Sequence, residues 1–181
     1  MTVVIRESKE TQIRCEITAG TGTARVSTGD AFLDHMLTAF ARYSGLDVDV
    51  QATGDLRHHL IEDVAITLGR AVAAFAPAGC ARFGERTVPM DDALVQVVLD
   101  IGGRPYYRGP LPSPLWDHFM RSFADNAATT LHVRVIRGRD KHHVVEAGIK
   151  ALGFALRDAL AESGAVFSTK GAVRLDIRSE P

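Results

Sequence analysis

Apolar residues recur along this chain with two alternating periods. Residues 12–18 and 23–27 alternate as half-buried strands do, with Gly20 and Gly22 in the turn between them. The period then changes: residues 31–43 put Phe32, Leu33, Met36, Leu37 and Phe40 on one helical face, behind Asp30 as N-cap. Alternation returns over 46–52, with Leu46, Val48 and Val50 on one side, and a helix is predicted from about 59 to 76, stopped by Pro77 and Gly79. The remainder follows the same plan. Strands are predicted near 86–90, 93–101 and 104–108, then a helix with Ser113 as N-cap, Pro114 at its first position and Leu115, Phe119, Met120 and Phe123 on its apolar face. A strand over 130–136 and a helix from about 142 to 162 complete the pattern.

The similarity of the two halves extends to individual residues. His58-His59, Glu62, Leu68 and Gly69 coincide with His142-His143, Glu146, Leu152 and Gly153 at an offset of 84 residues, with Ile66 and Ile149 one place out of step. Asp34-His35 precedes the first pair by 23 residues, and Asp117-His118 precedes the second by 24, counted between the histidines. This predicts an internal duplication of a βββαβα half-domain, with halves 1–80 and 81–165 and a tail 166–181, packed as one compact unit. The fold class is α/β of the α+β type, with two four-stranded mixed sheets packed with helices.

Composition narrows the setting. A 46% hydrophobic chain of 181 residues can bury a core. A net charge of -1 argues against nucleic-acid binding by bulk charge. No apolar run reaches the roughly 18 residues of a membrane span, and Cys15 and Cys80 are too few for a disulfide framework or a cysteine-based zinc site. The expected compartment is the cytoplasm.

The histidines carry the chemistry. On a helix, His58 and Glu62 stack at i, i+4, as do His142 and Glu146, whereas adjacent histidines diverge by about 100°. A His-His pair is therefore better suited to giving one imidazole to each of two metals than to chelating one. With His35 and His118 the set is His35, His58, His59, Glu62, His118, His142, His143 and Glu146, four donors per ion if divided evenly. An octahedral ion would keep two positions open for substrate or water. Nitrogen and carboxylate donors suit Mn, Fe, Co, Ni or Zn. His132 has no counterpart in the first half and is read as structural. Arg134, Arg137, Arg139 and Lys141 are read as a solvated or subunit-contact run.

Taken in order, Glu10-Thr11, Phe32-Leu33-Asp34-His35-Met36, Gly54-Asp55-Leu56, His58-His59 with Glu62-Asp63, Arg82-Phe83-Gly84, Val88-Pro89-Met90-Asp91, Gly103-Arg104-Pro105-Tyr106, His142-His143 with Glu146-Ala147, and Ser168-Thr169-Lys170-Gly171 resemble imidazoleglycerol-phosphate dehydratase. The resemblance implies loss of water from imidazole glycerol phosphate through a dimetal-bound imidazolate, in histidine biosynthesis. It implies two divalent ions per site, Mn2+ in the family, on the same eight ligands. It also implies trimers building a 24-subunit shell with sites between subunits. Glu10 would be the general acid–base and Lys150 a further catalytic residue; Arg82, Arg104, Ser168 and Lys170 would bind the phosphate. The chain departs from the family pattern beside the first histidine pair, where Arg57 directly precedes His58 and the segment is shortened. Two other functions fit parts of the pattern: a dinuclear phosphoesterase, which would release phosphate without forming a ketone, and a non-catalytic shell or RNA-binding module, which would bind RNA in a salt-dependent way.

Overall fold

The computed structural model describes residues 1–163. The first half contains β1 (Thr2–Glu7), β2 (Thr11–Ala19), β3 (Ala24–Ser27), α1 (Ala31–Ser44), β4 (Leu46–Gly54) and α2 (Arg57–Phe75). The second contains β5 (Phe83–Met90), β6 (Ala93–Ile101), β7 (Tyr106–Arg108), α3 (Pro114–Asn126), β8 (Thr129–Arg137) and α4 (Lys141–Leu160). The sheets have orders β1-β2-β4-β3 and β5-β6-β8-β7, the same topology twice. In each, the third strand runs parallel to the fourth. A parallel neighbour needs a crossover, and α1 and α3 supply it. The α+β duplication expected from the pattern is the observed architecture.

Local chemistry sets the element ends. Asp30 accepts hydrogen bonds from the N–H groups of Phe32 and Leu33, and Gly45 ends α1 in the left-handed region at φ 74°. Ser113 stands at the expected cap position but makes no side-chain capping bond. Asp117 ties down that loop instead, accepting from Leu111 N at 2.9 Å and from the Tyr107 hydroxyl at 2.6 Å. Strand β7 is shorter than the expected 104–108. Strand β1 is an addition to the pattern-based reading. It lacks a clean alternation: Val3 and Ile5 are exposed, while Val4 packs on the core and Arg6 turns inward to Asp63 at 2.9 Å. Asp63 also accepts from the Thr11 hydroxyl at 2.5 Å, so one buried carboxylate ties α2 to the first hairpin.

Each sheet is covered on one side by the helices of its own half, and the helices meet in the middle of the molecule. There the halves exchange partners. Helix α2 packs on α3 and α4 packs on α1, with Phe40 and Phe123 edge to face at 6.0 Å between ring centres. The repeated glycines lie at these crossings. A Cβ on Gly69 would lie 2.7 Å from the Phe123 carbonyl oxygen and 3.0 Å from Ala127 N; one on Gly153 would lie 2.9 Å from Tyr43 Cβ and 3.0 Å from Ser44 N. Among the described residues no helix is long and apolar enough to cross a membrane.

Alanine favours an isolated helix over glycine by about 1 kcal/mol. At these crossings the sign should reverse. Gly69→Ala and Gly153→Ala should each lower stability by about 1–3 kcal/mol through overpacking, read as a lower urea midpoint. Burial also pushes the Cys15 thiol from 9.0 up to about 12. The unfolded chain binds fewer protons than the fold between those values, so stability should fall as pH rises through that window, and Cys15→Ala should flatten the decline in urea titrations at pH 8 and pH 10.

Candidate metal centre

The exchange of helix partners builds two related side-chain groups. His58 and Glu62, on one face of α2, meet His118 from α3: His58 Nε2 lies 3.5 Å from Glu62 Oε2, and His118 Nε2 lies 3.1 Å from Glu62 Oε1. The two imidazoles stack at 5.3 Å. His142 and Glu146, on α4, meet His35 from α1, with the Nε2 atoms 3.1 and 3.2 Å from Glu146 Oε2. Each group combines the His-x-x-x-Glu of one half with the Asp-His histidine of the other. Asp34 and Asp117 do not join them. Asp34 accepts from Thr28 N at 3.0 Å and from its hydroxyl at 2.6 Å, anchoring the start of α1 as Asp117 anchors that of α3.

These separations suit a cation. Donors about 2.1 Å from one ion and at right angles lie about 3 Å apart, and within each group all three ligand atoms lie within 4.8 Å of one another. His118 Nε2 is buried and makes no hydrogen bond, despite a carboxylate oxygen at 3.1 Å. The close oxygen has the wrong direction to accept a proton from that nitrogen, as expected of two donors aimed at a common third atom. The groups can therefore hold a divalent ion each.

His59 and His143 stand apart from both groups. Helical divergence turns each away from its neighbour, so three of the expected four donors per ion converge within the chain. His59 Nδ1 bonds Asp55 at 2.9 Å, with Glu10 Oε2 at 3.6 Å; His143 Nδ1 bonds Asp92 at 2.8 Å, and its Nε2 lies 3.4 Å from Asp91. These hydrogen bonds, donated by the imidazoles to the Asp55 and Asp92 carboxylates, raise the pKa values of His59 and His143. Asp92 itself is held at about 2, first by the Arg139 backbone N–H and next by His143. A carboxylate on Nδ1 fixes the tautomer and orients Nε2 outward as a ligand atom. Sequence reasoning missed these partners. Asp55 carried an i, i+4 signal to His59, but Asp92 is 51 residues from His143 and carried none.

Lys150 lies one turn beyond Glu146, with Nζ 2.8 Å from Oε1, the oxygen not shared with the histidines. Burial pushes the Glu146 pKa up, but Lys150, and then His35 and His142, outweigh it, and the net shift is downward. Arg82 forms a two-pronged pair with Asp100 at 2.7 and 3.0 Å, beside the Gly103-Arg104 turn; Asp100 is a further partner the sequence did not reveal. Arg82 N bonds the Ala159 carbonyl near the end of α4. The ligand groups sit at the opposite end, so about 25 Å of helix separates Arg82 from His142, at 1.5 Å per residue. Ser168 and Lys170 lie outside the described residues.

The fold and these groups define a duplicated α+β protein with two equivalent histidine–carboxylate centres. Comparison with known proteins agrees with that class and narrows it. Residues 28–156 match the family model for imidazoleglycerol-phosphate dehydratase. The imidazoleglycerol-phosphate dehydratase of Methanococcoides burtonii is 44% identical, covering 94% of this chain and 97% of the relative, and that of Pyrococcus furiosus is 44% identical, covering 93% and 99%. A crystal structure of the Pyrococcus furiosus dehydratase superposes with a TM-score of 0.85 at 44% identity, over 94% of this chain and 100% of that one. The Staphylococcus aureus dehydratase does so with a TM-score of 0.80 at 34% identity, over 90% and 99%. The chain belongs to the imidazoleglycerol-phosphate dehydratase family, hydro-lyases of histidine biosynthesis.

Glu62→Gln and Glu146→Gln each remove the charged member of one group only. Each should weaken one divalent-ion site by at least the 10–100-fold seen for lost supporting residues and leave the other intact, giving one tight ion per chain in calorimetric titration with Mn2+.

Proposed function

We propose that this chain is a metal-dependent dehydratase that converts imidazole glycerol phosphate to imidazole acetol phosphate and water. The observation that carries the reading is the pair of His-His-Glu groups, each assembled from both halves. His35, His142 and Glu146 would hold one ion, and His58, His118 and Glu62 the other, with manganese as the family's ion. When bound, the ions supply Lewis acidity that makes the substrate's imidazole N–H easier to remove, which matters because no carbonyl activates the carbon acid of this substrate.

The remaining roles belong to the chain's own side chains. Glu10, beside His59, carries a proton on its carboxylate between solvent and the substrate carbon next to the departing hydroxyl. Lys150 keeps Glu146 ionised and fixes its second oxygen. Arg82 and Arg104, adjacent at one turn, take the phosphate together with Ser168 and Lys170; a planar guanidinium matches two phosphate oxygens. His59 and His143 complete the ligand sets of neighbouring copies. Support for sharing comes from α4, whose length keeps Arg82 far from the ligands of its own chain. The family resemblance extends this reading to cytoplasmic trimers that build a 24-subunit shell, in which the half-repeats 1–80 and 81–165 act as one unit.

Protein supplied with Mn2+ and imidazole glycerol phosphate should form the enolisable ketone, detected by its absorbance in alkali. Phosphate release without ketone would instead identify a phosphoesterase, and no product at any Mn2+ level would remove the proposal. Glu10→Gln should retain both ions in calorimetry yet lose turnover by about 10²–10⁴-fold, the usual contribution of general acid–base catalysis.

A further inference from the structure

The two histidine pairs occupy equivalent places in the duplication, yet the helix starts that carry them are held differently. His58 and His59 are the second and third residues of α2, as His142 and His143 are of α4. The backbone N–H groups of a first turn have no partner within the helix, and that turn frays unless a cap or a tertiary contact holds it. Helix α4 has its cap: the Asp140 carboxylate accepts from His142 N at 2.8 Å. Helix α2 has none, because Leu56 stands at the cap position and offers no side-chain acceptor. Asp55 accepts from Leu56 N and from the His59 ring, so it braces a side chain and leaves the first-turn N–H groups of α2 uncapped.

An ion pair takes the place of that cap. Arg57, the first residue of α2, donates from Nε to Asp30 Oδ2 at 2.5 Å. Asp30 is firmly seated: its side chain is 14% exposed, and Oδ1 accepts from Phe32 N at 3.0 Å and Leu33 N at 2.9 Å as the cap of α1. Burial pushes the Asp30 pKa up, but Arg57 and then the Leu33 and Phe32 N–H groups outweigh it, and the net shift is downward. Surface ion pairs gain little when two long side chains must be ordered; here one partner is already fixed by backbone hydrogen bonds. The second half lacks this contact. Lys141 and Ser113 hold the equivalent positions, but Lys141 makes no ion pair among the described residues and Ser113 makes no side-chain capping bond. Each half thus holds its histidine pair by one device and omits the other.

We propose that Arg57 and Asp30 are positioning residues for the first centre: their ion pair stands in for the missing cap of α2 and holds His58, one turn before Glu62, in the geometry that receives the ion. Fraying withdraws His58, and apparent affinity falls with the fraction of chains that remain competent to bind. The second centre keeps its own supports, because Asp30 caps α1, the helix of His35, through the oxygen that Arg57 does not use. The inference rests on the reading of the two groups as ion sites.

Amide exchange and Mn2+ titration of the full chain test it. Leu60 N bonds the Leu56 carbonyl at 3.0 Å and Val144 N the Asp140 carbonyl at 3.1 Å, the equivalent first bonds of α2 and α4. Arg57 is 56% exposed, so its truncation leaves the core intact. In metal-free protein, Arg57→Ala should speed exchange about fivefold in a peptide spanning 56–62, the usual worth of a helix cap, and leave a peptide spanning 140–146 unchanged. In a Glu146→Gln background, where only the first centre binds tightly, it should raise the Mn2+ dissociation constant about fivefold in calorimetry. In a Glu62→Gln background it should leave the second centre unaffected. Arg57→Lys should restore most of the affinity. Asp30→Asn, which keeps the cap oxygen of α1, should match Arg57→Ala, and the double variant should lose no more than either alone. Unchanged exchange at 56–62, equal losses at both centres, or additive losses in the double variant would overturn the proposal. A wild-type chain that takes up no Mn2+ would overturn the ion reading and the positioning role with it, while the exchange rates still decide whether the ion pair serves as the cap.

Discussion

The close crossing of helices from different halves is the contact on which the rest depends. At Gly69 and Gly153 a helix approaches the backbone of its partner more closely than a side chain would permit. The partner comes from the opposite repeat each time. Only because α2 lies on α3, and α4 on α1, do His118 reach Glu62 and His35 reach Glu146. Helices packed within their own halves would leave each His-x-x-x-Glu without its third donor.

The symmetry is broken where chemistry would feel it most. Glu146 has Lys150 on one oxygen and is buried, with 7% of its side chain exposed; Glu62 has Ile66 at the equivalent helical position, no cation, and 33% exposure. A charge next to a buried carboxylate favours ionisation at a cost in mobility, whereas an exposed carboxylate is free to change its coordination. Two sites of the same ancestry thus offer one rigid donor and one adaptable donor.

Much of this was legible in the sequence because helical spacing is a strong constraint. The i, i+4 pairing of His58 with Glu62 and of His142 with Glu146 follows from 3.6 residues per turn, and the duplication pointed to His35 and His118. The glycines were visible as repeated letters, but their role as crossing points needed three dimensions. Strand β1 escaped notice because Val3 and Ile5 face outward beside an inward Val4 and Arg6, which erases the usual alternation. Asp92 and Asp100 were hidden for another reason: their partners come from distant segments, and nothing local distinguishes them from solvated surface carboxylates. Ser113 shows the converse, a favourable cap residue that makes no capping bond, while Asp117 secures the preceding loop instead.

Helix α4 acts as a spacer with the Arg82 guanidinium near one tip and imidazoles at the other. A substrate only a few bonds long cannot bridge that gap within a single molecule. On the shared-site reading, turnover would therefore depend on encounters between polypeptides, so the specific rate would fall on dilution and the kinetic order in enzyme would exceed one until the particle is complete.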